Sequence, residues 1–128
     1  MSDLTTSRLV LYVEDDRINI VLMEEVFRRM PGWQLECAED GSQALHMLTE
    51  LQPDLLLVDM NLPDMSGLDL LAQLRRDPRH SELACVALSA DALPEQVQAA
   101  LQAGFKEYWL KPIDVPQLTR ALQSLDIA

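Results

Sequence analysis

The stretch Asp54–Gly67, DLLLVDMNLPDMSG, constrains the fold of this chain more than any other. Four consecutive apolar residues, Leu55–Val58, run straight into Asp59. A short unbroken apolar run fits a strand covered on both faces, as in a parallel sheet flanked by helices. Asp59 then falls at the C-terminal end of that strand, the edge where open α/β sheets carry their ligand chemistry. Met60–Gly67 contains Asn, Pro, Asp, Ser and Gly and reads as a loop.

The rest of the chain repeats this arrangement. Leu9–Val13 is a buried strand ending in Glu14, Asp15 and Asp16. Asp16 is placed to cap a helix whose apolar residues Ile18, Leu22, Val26 and Met30 recur every four positions, before Pro31-Gly32 stops it. Trp33–Ala38 is a second strand, and Ala44, Leu45, Leu48 and Leu51 mark a second helix ending near Pro53. Leu68–Arg76 is the third helix and Leu83–Leu88 the fourth strand, ending in Ser89 and Asp91. The fourth helix starts near Pro94, carries Val97, Ala100 and Leu101, and stops at Gly104. Phe105–Leu110 is strand five, closed by Lys111-Pro112, and Val115, Leu118, Leu122 and Leu125 form the stripe of helix five. Five strands alternating with five helices predict a doubly wound α/β fold with a parallel sheet in the order 2-1-3-4-5. Residues 1–128 read as one domain with a core over about residues 8–126.

Composition narrows the function. A net charge of −11 argues against binding DNA or RNA, which needs a basic surface, and against an anionic membrane. It suits a metal cation or a basic protein partner, although acidic surfaces also simply keep small proteins soluble. Cys37 and Cys85 lack CxxC spacing and read as small buried hydrophobes. No apolar run approaches the length of a membrane span, and MSDLTTSR lacks the features of a signal peptide, so a cytoplasmic location is expected.

The strand tips bring the chemistry together. Glu14 and Asp15, Asp59, Ser89 and Lys111 follow strands one, three, four and five, so the topology places them at one edge of the sheet. Clustered carboxylates repel one another and call for a cation, and oxygen ligands select a hard ion, Mg²⁺ above all, with Mn²⁺ as its substitute. Lys111 adds a point charge and Ser89 a hydroxyl. A carboxylate among such groups is arranged to attack phosphorus and to stabilise phosphoryl oxygens. Singly, each acid could as well cap a helix; it is the coincidence at one edge that carries the reading.

The motifs VEDD at 13–16, VDMNLPDMSG at 58–67, ALSA at 87–90 and YWLKP at 108–112 resemble those of the receiver domains of two-component response regulators, over essentially the whole chain. The spacings of 30 residues from Asp59 to Ser89 and 52 from Asp59 to Lys111 also match. The resemblance implies that Asp59 is phosphorylated by a histidine kinase or histidine phosphotransfer protein. It implies Mg²⁺ ligation by Asp15 and Asp59, by Glu14 through water and by the Asn61 backbone carbonyl. Ser89 would bond the phosphoryl group and Lys111 pair with it, Ser89 and Tyr108 would form the switch, and Asn61 and Asp91 would tune dephosphorylation. Lys111-Pro112 matches the family's cis peptide bond. Output to a partner protein or domain would leave through helix 4, strand 5 and helix 5.

Departures from the family pattern are small: Glu-Asp for the acidic pair, Ser for the switch hydroxyl, and a bulky Trp109. The motif style is similar to receiver modules of hybrid sensor kinases, so both a free-standing regulator and an excised module remain open. Two other readings compete. A receiver-like scaffold would never be phosphorylated. A Mg²⁺-dependent phosphatase of small phosphoesters is disfavoured because Asn61 stands where the DxD motif of haloacid-dehalogenase-like enzymes needs a second Asp for acid–base work. A flavodoxin is disfavoured because strand one leads into acids. His46 and His80 have no ligand-spaced partners and read as surface or packing residues.

Overall fold

The computed structural model describes residues 8–124. It comprises β1 (Arg8–Val13), α1 (Arg17–Arg28), β2 (Trp33–Ala38), α2 (Gly41–Met47), β3 (Leu55–Asp59), α3 (Gly67–Arg75), β4 (Cys85–Ser89), α4 (Pro94–Ala103), β5 (Glu107–Leu110) and α5 (Val115–Ser124). The sheet is parallel, in the order β2-β1-β3-β4-β5. This is the doubly wound topology expected from the alternation of elements.

All residues of β3 and β4 are buried, as the apolar runs require, whereas the edge strand β2 alternates exposed and half-buried positions before ending on buried Ala38. Strand alternation divides the core into two layers. Leu11, Val13, Leu56, Val58 and Ala87 pack with Leu70, Leu71 and Leu74 of α3. Val10, Tyr12, Leu55, Leu57, Leu88 and Trp109 pack with Ile20, Met23 and Phe27 of α1 and Leu118 and Leu122 of α5. Val13 is in register with Val58 and Asp59 with Leu88, so the ends of the central strands lie level. The backbone of Asp54 extends the β1–β3 pairing by donating to the Leu9 carbonyl at 2.7 Å, and its carboxylate accepts the Leu9 N–H at 2.8 Å.

Caps fix where the helices begin. The Asp16 carboxylate accepts the Ile18 N–H at 2.9 Å, Asp40 that of Gln43 at 2.7 Å and the Ser66 hydroxyl that of Asp69 at 3.1 Å. Proline at the first position of α4 does the same work by its fixed backbone angle.

Three expectations need correction. The face of α1 is not Ile18–Leu22–Val26–Met30: Ile18 is 71% and Leu22 55% exposed, while Ile20, Met23 and Phe27 are buried. A strict four-residue repeat advances by about 40° per step around a helix of 3.6 residues per turn, so the series walks off the core, and only Val26 and Met30 still touch it. Helix α4 buries Ala100 alone, with Val97 half-buried and Leu101 exposed. Strand β5 starts at Glu107, because Gly104 at φ 122° turns the chain and Phe105 drops into the α3–α4 layer as a buried loop residue. Leu125, assigned to the α5 stripe, lies outside the described residues. Cys85 is buried as expected, whereas Cys37 is half-buried; burial pushes both thiols up to about 11.

Candidate functional site

The sheet ladder continues one rung past the strands and fixes the backbone of the site. Glu14 N–H donates to the Ala38 carbonyl, Met60 N–H to that of Leu88 and Lys111 N–H to that of Ser89, each at 2.9 Å. By strand alternation Glu14, Asp59 and Lys111 follow Tyr12, Leu57 and Trp109 and share the α1/α5 side, whereas Ser89 follows Ala87 on the other. The Lys111-Pro112 peptide is cis.

Lys111 Nζ stands 2.9 Å from Glu14 Oε1 and 3.2 Å from Asp59 Oδ2. Asp59 Oδ1 accepts the Asn61 N–H at 3.1 Å. Glu14 Oε1 also accepts the Tyr12 hydroxyl at 2.8 Å, and Oε2 accepts the Asp16 N–H at 3.2 Å. Glu14, Asp59 and Ser89 are buried and Asp15 is exposed. Burial pushes the Asp59 carboxyl up to about 6, helped by the Glu14 carboxylate and opposed by the Asn61 N–H and Lys111. Glu14 goes the other way: burial would raise it, but the hydrogen bonds from Lys111 and Tyr12 outweigh that and hold it below the usual carboxylate range. Burial also works against the Lys111 ammonium, yet its two carboxylate partners raise its pKa.

Glu14, Asp15 and Asp59 each place one oxygen within 4.8 Å of the others. Oxygens bound to one Mg²⁺ stand at most about 4.2 Å apart, so the cluster is close to the size a hard cation needs, whether each carboxylate reaches it directly or through a water. The elevated Asp59 carboxyl reflects its burial first and the Glu14 carboxylate second, and Lys111 offsets these only in part.

The loop after Asp59 is pinned at several points. Asn61 bridges to Ser66, and Leu62 is buried. Asp64 accepts the Gly41 and Ser42 N–H groups at the start of α2, both at 2.9 Å, so it is held away from Lys111. Gly67 is required by close approach: a Cβ there would stand 3.2 Å from Met60 Cα and 2.5 Å from its sulfur.

Ser89 joins a second group. Its hydroxyl oxygen accepts the Asp91 N–H at 3.1 Å, and the Tyr108 hydroxyl donates to the Asp91 carbonyl at 2.7 Å. Among the described residues the Ser89 hydroxyl makes no hydrogen bond to the Asp59 or Lys111 side chain. Neither histidine approaches the site: His46 is exposed, and His80 is buried with Nε2 2.8 Å from the Leu48 carbonyl. Tyr12 is the site residue the sequence reading missed; a phenol two positions ahead of an acid on one strand was the available signal.

Residues 10–123 match the family of response regulator receiver domains. The chain belongs to that family. As a receiver, it is 37% identical over 115 residues to the aerobic respiration control sensor protein ArcB of Escherichia coli K12, covering 89% of this chain and 14% of ArcB. The chain thus spans a small part of that relative's length. It is 30% identical over 118 residues to the polar-differentiation response regulator DivK of Brucella ovis, covering 92% of this chain and 95% of DivK. Among solved structures, the receiver domain of the sensor histidine kinase PA1611 of Pseudomonas aeruginosa superposes with a TM-score of 0.84 at 29% identity, over 93% of this receiver and 97% of that one. That structure has a magnesium ion coordinated in its active site cleft. The chemotaxis response regulator CheY4 of Vibrio cholerae shares the fold, with a TM-score of 0.85 at 24% identity over 94% of this chain and 99% of that one. No helix among the described residues of this receiver is long and apolar enough to cross a membrane.

Proposed function

We propose that this receiver is a phosphoacceptor switch in two-component signalling, with Asp59 taking a phosphoryl group from the phosphohistidine of a histidine kinase or phosphotransfer protein. The observation that carries the reading is the setting of the Asp59 carboxylate. It is buried at the end of the central strand, with one oxygen on the Asn61 N–H and the other on Lys111, beside Glu14 and Asp15. Asp15, Asp59, the Asn61 carbonyl and, through water, Glu14 would hold Mg²⁺, which when bound neutralises phosphoryl oxygens and holds the donor in line. One Asp59 oxygen attacks phosphorus, the P–N bond to the donor imidazole breaks, and its electron pair returns to the ring. Lys111 turns from the carboxylates to the new phosphoryl oxygens, and the Ser89 hydroxyl donates to another. Hydrolysis by water restores the carboxylate. The donor is made from ATP, which places the protein in the cytoplasm. Output leaves through the α4–β5–α5 face, where Leu101 and Leu110 are exposed apolar residues available to a partner.

The test is incubation with acetyl phosphate and Mg²⁺, read by intact mass. Wild type gains one phosphoryl mass, about 80 Da, and loses it to hydroxylamine, as an acyl phosphate does. Asp59→Asn gains nothing and EDTA blocks the reaction. Full labelling of Asp59→Asn defeats the assignment; no labelling of wild type by any donor turns the protein into a scaffold.

A further inference from the structure

Tyr12 is the one polar residue among the four buried positions of β1, Val10–Val13, and is 1% exposed. Its ring packs in the layer with Ile20, Met23, Leu57, Leu88 and Trp109, a place that phenylalanine would fill equally well. What tyrosine adds is a hydroxyl, and a hydroxyl is unfavourable in such a place unless it is bonded. Here it is bonded to Glu14 Oε1 at 2.8 Å. Glu14 is itself fully buried, and its remaining donors are Lys111, at 2.9 and 3.3 Å from the two oxygens, and the Asp16 N–H at 3.2 Å. The Asp16 N–H is fixed backbone, while Lys111 is long, divided between Glu14 and Asp59, and free to leave for a phosphoryl group. Tyr12 is therefore the side-chain donor that stays with Glu14 whichever partner Lys111 takes.

We propose that Tyr12 is a positioning residue of the metal site: its hydroxyl holds the Glu14 carboxylate in the orientation that faces the cation, so that the receiver is built for metal before metal arrives. This rests on the reading of Glu14 as part of the Mg²⁺ site. Without the phenol, Glu14 is held on Oε1 by Lys111 alone and follows it, and part of the metal's binding free energy goes into reorienting it. The loss falls on the metal requirement, because the hydroxyl does not touch the reacting oxygen of Asp59.

The test is a Mg²⁺ titration of the metal-free protein, followed by tryptophan fluorescence or calorimetry, in wild type, Tyr12→Phe, Glu14→Gln and the double variant. Tyr12→Phe should raise the half-saturating Mg²⁺ concentration roughly tenfold, the size of one hydrogen bond to a charged group. Its labelling rate at saturating Mg²⁺ should stay within about twofold of wild type. In the Glu14→Gln background the same substitution should change the titration by less than about twofold, since the partner that transmits its effect has gone. A folded Tyr12→Phe with the wild-type Mg²⁺ requirement overturns the proposal, as does an equal loss in both backgrounds, which would mark Tyr12 as a packing residue. A second measurement does not depend on Tyr12→Phe folding. In Tyr108→Phe, Tyr12 is the only tyrosine left of the chain's two, and its resonance Raman bands should report a phenol donating to a carboxylate both before and after Mg²⁺ addition, a signature that Glu14→Gln should alter. A Tyr12 signal in the metal-free protein that Glu14→Gln leaves unchanged overturns the proposal. A wild type that binds Mg²⁺ but accepts no phosphoryl group defeats the phosphoacceptor reading and leaves these outcomes to decide on Tyr12.

Discussion

The Tyr108 hydroxyl donates to the carbonyl oxygen of Asp91 at 2.7 Å, which ties the exposed edge of β5 to the chain two residues beyond Ser89. Movement of Ser89 toward a phosphorylated Asp59 would draw on the same segment, since the Ser89 hydroxyl accepts the Asp91 N–H. The β4–α4 connection is thus held to the rest of the site by two hydrogen bonds to Asp91, and α4 behind it buries only Ala100. Such an element is readily displaced. Addition of beryllofluoride and Mg²⁺ should therefore move NMR resonances across residues 89–112 as well as around Asp59. Changes confined to the neighbours of Asp59 would leave Tyr108 a fixed surface aromatic.

The contribution of Asp59 to the stability of the metal-free protein should fall as pH rises. Burial lifts the Asp59 carboxyl to about 6, above its ordinary range, so between about pH 4 and pH 6 the native state holds a proton that the unfolded chain has released. The stabilisation is complete below the unfolded value and is lost as pH climbs through the folded one. Urea unfolding in EDTA should show wild type losing ground to Asp59→Asn across that interval and holding a constant difference above it. A difference independent of pH would contradict the buried, unbalanced state of Asp59.

Lys111→Ala removes the cation that Glu14 and Asp59 share. Metal-free stability at pH 7 should drop by roughly 1–3 kcal/mol, less than for a fully buried pair because Asp59 can take up a proton. Mg²⁺ at millimolar concentration should recover part of this by binding the native state alone. Unfolding midpoints with EDTA and with Mg²⁺ measure both effects. The variant should still accept phosphate from acetyl phosphate, but beryllofluoride should no longer shift residues 89–112.

Phosphoryl-group lifetime should depend on Asn61 and Asp91, which are exposed and stand two residues past Asp59 and Ser89. Decay measured by intact mass in Asn61→Ala and Asp91→Ala should differ from wild type by about threefold or more, a fraction of what a fully positioned general base supplies. Equal lifetimes in all three proteins would remove both residues from the path of the attacking water.

What the sequence made visible, and what it hid, has a common physical origin. Strands buried on both faces must be apolar throughout, so β1, β3 and β4 stand out, and their polar endings mark one edge of the sheet. Asp59, Glu14 and Lys111 were legible for that reason. Helices are harder to orient when apolar residues surround them: Ile18, Val21 and Leu22 of α1 are all exposed, and the stripe that is buried, Ile20, Met23 and Phe27 at spacings of 3 and 4, runs beside the strict repeat of four. Phe105 belongs to the core without belonging to a strand, which displaced the start of β5. Tyr12 passed as a core aromatic because its ring is one. Only the position of its hydroxyl reveals the bond to Glu14, and that depends on side-chain geometry no spacing contains.

The level pairing of Val13 with Val58 has a practical corollary. Side chains alternate along a strand, so a slip of one residue between β1 and β3 would send Glu14 and Asp59 to opposite faces and dissolve the site. A molecule that takes up the label must then have its central strands correctly aligned. The labelled fraction, extrapolated to the start of its decay, would count native molecules in a refolding mixture or a destabilised variant without any spectroscopic baseline.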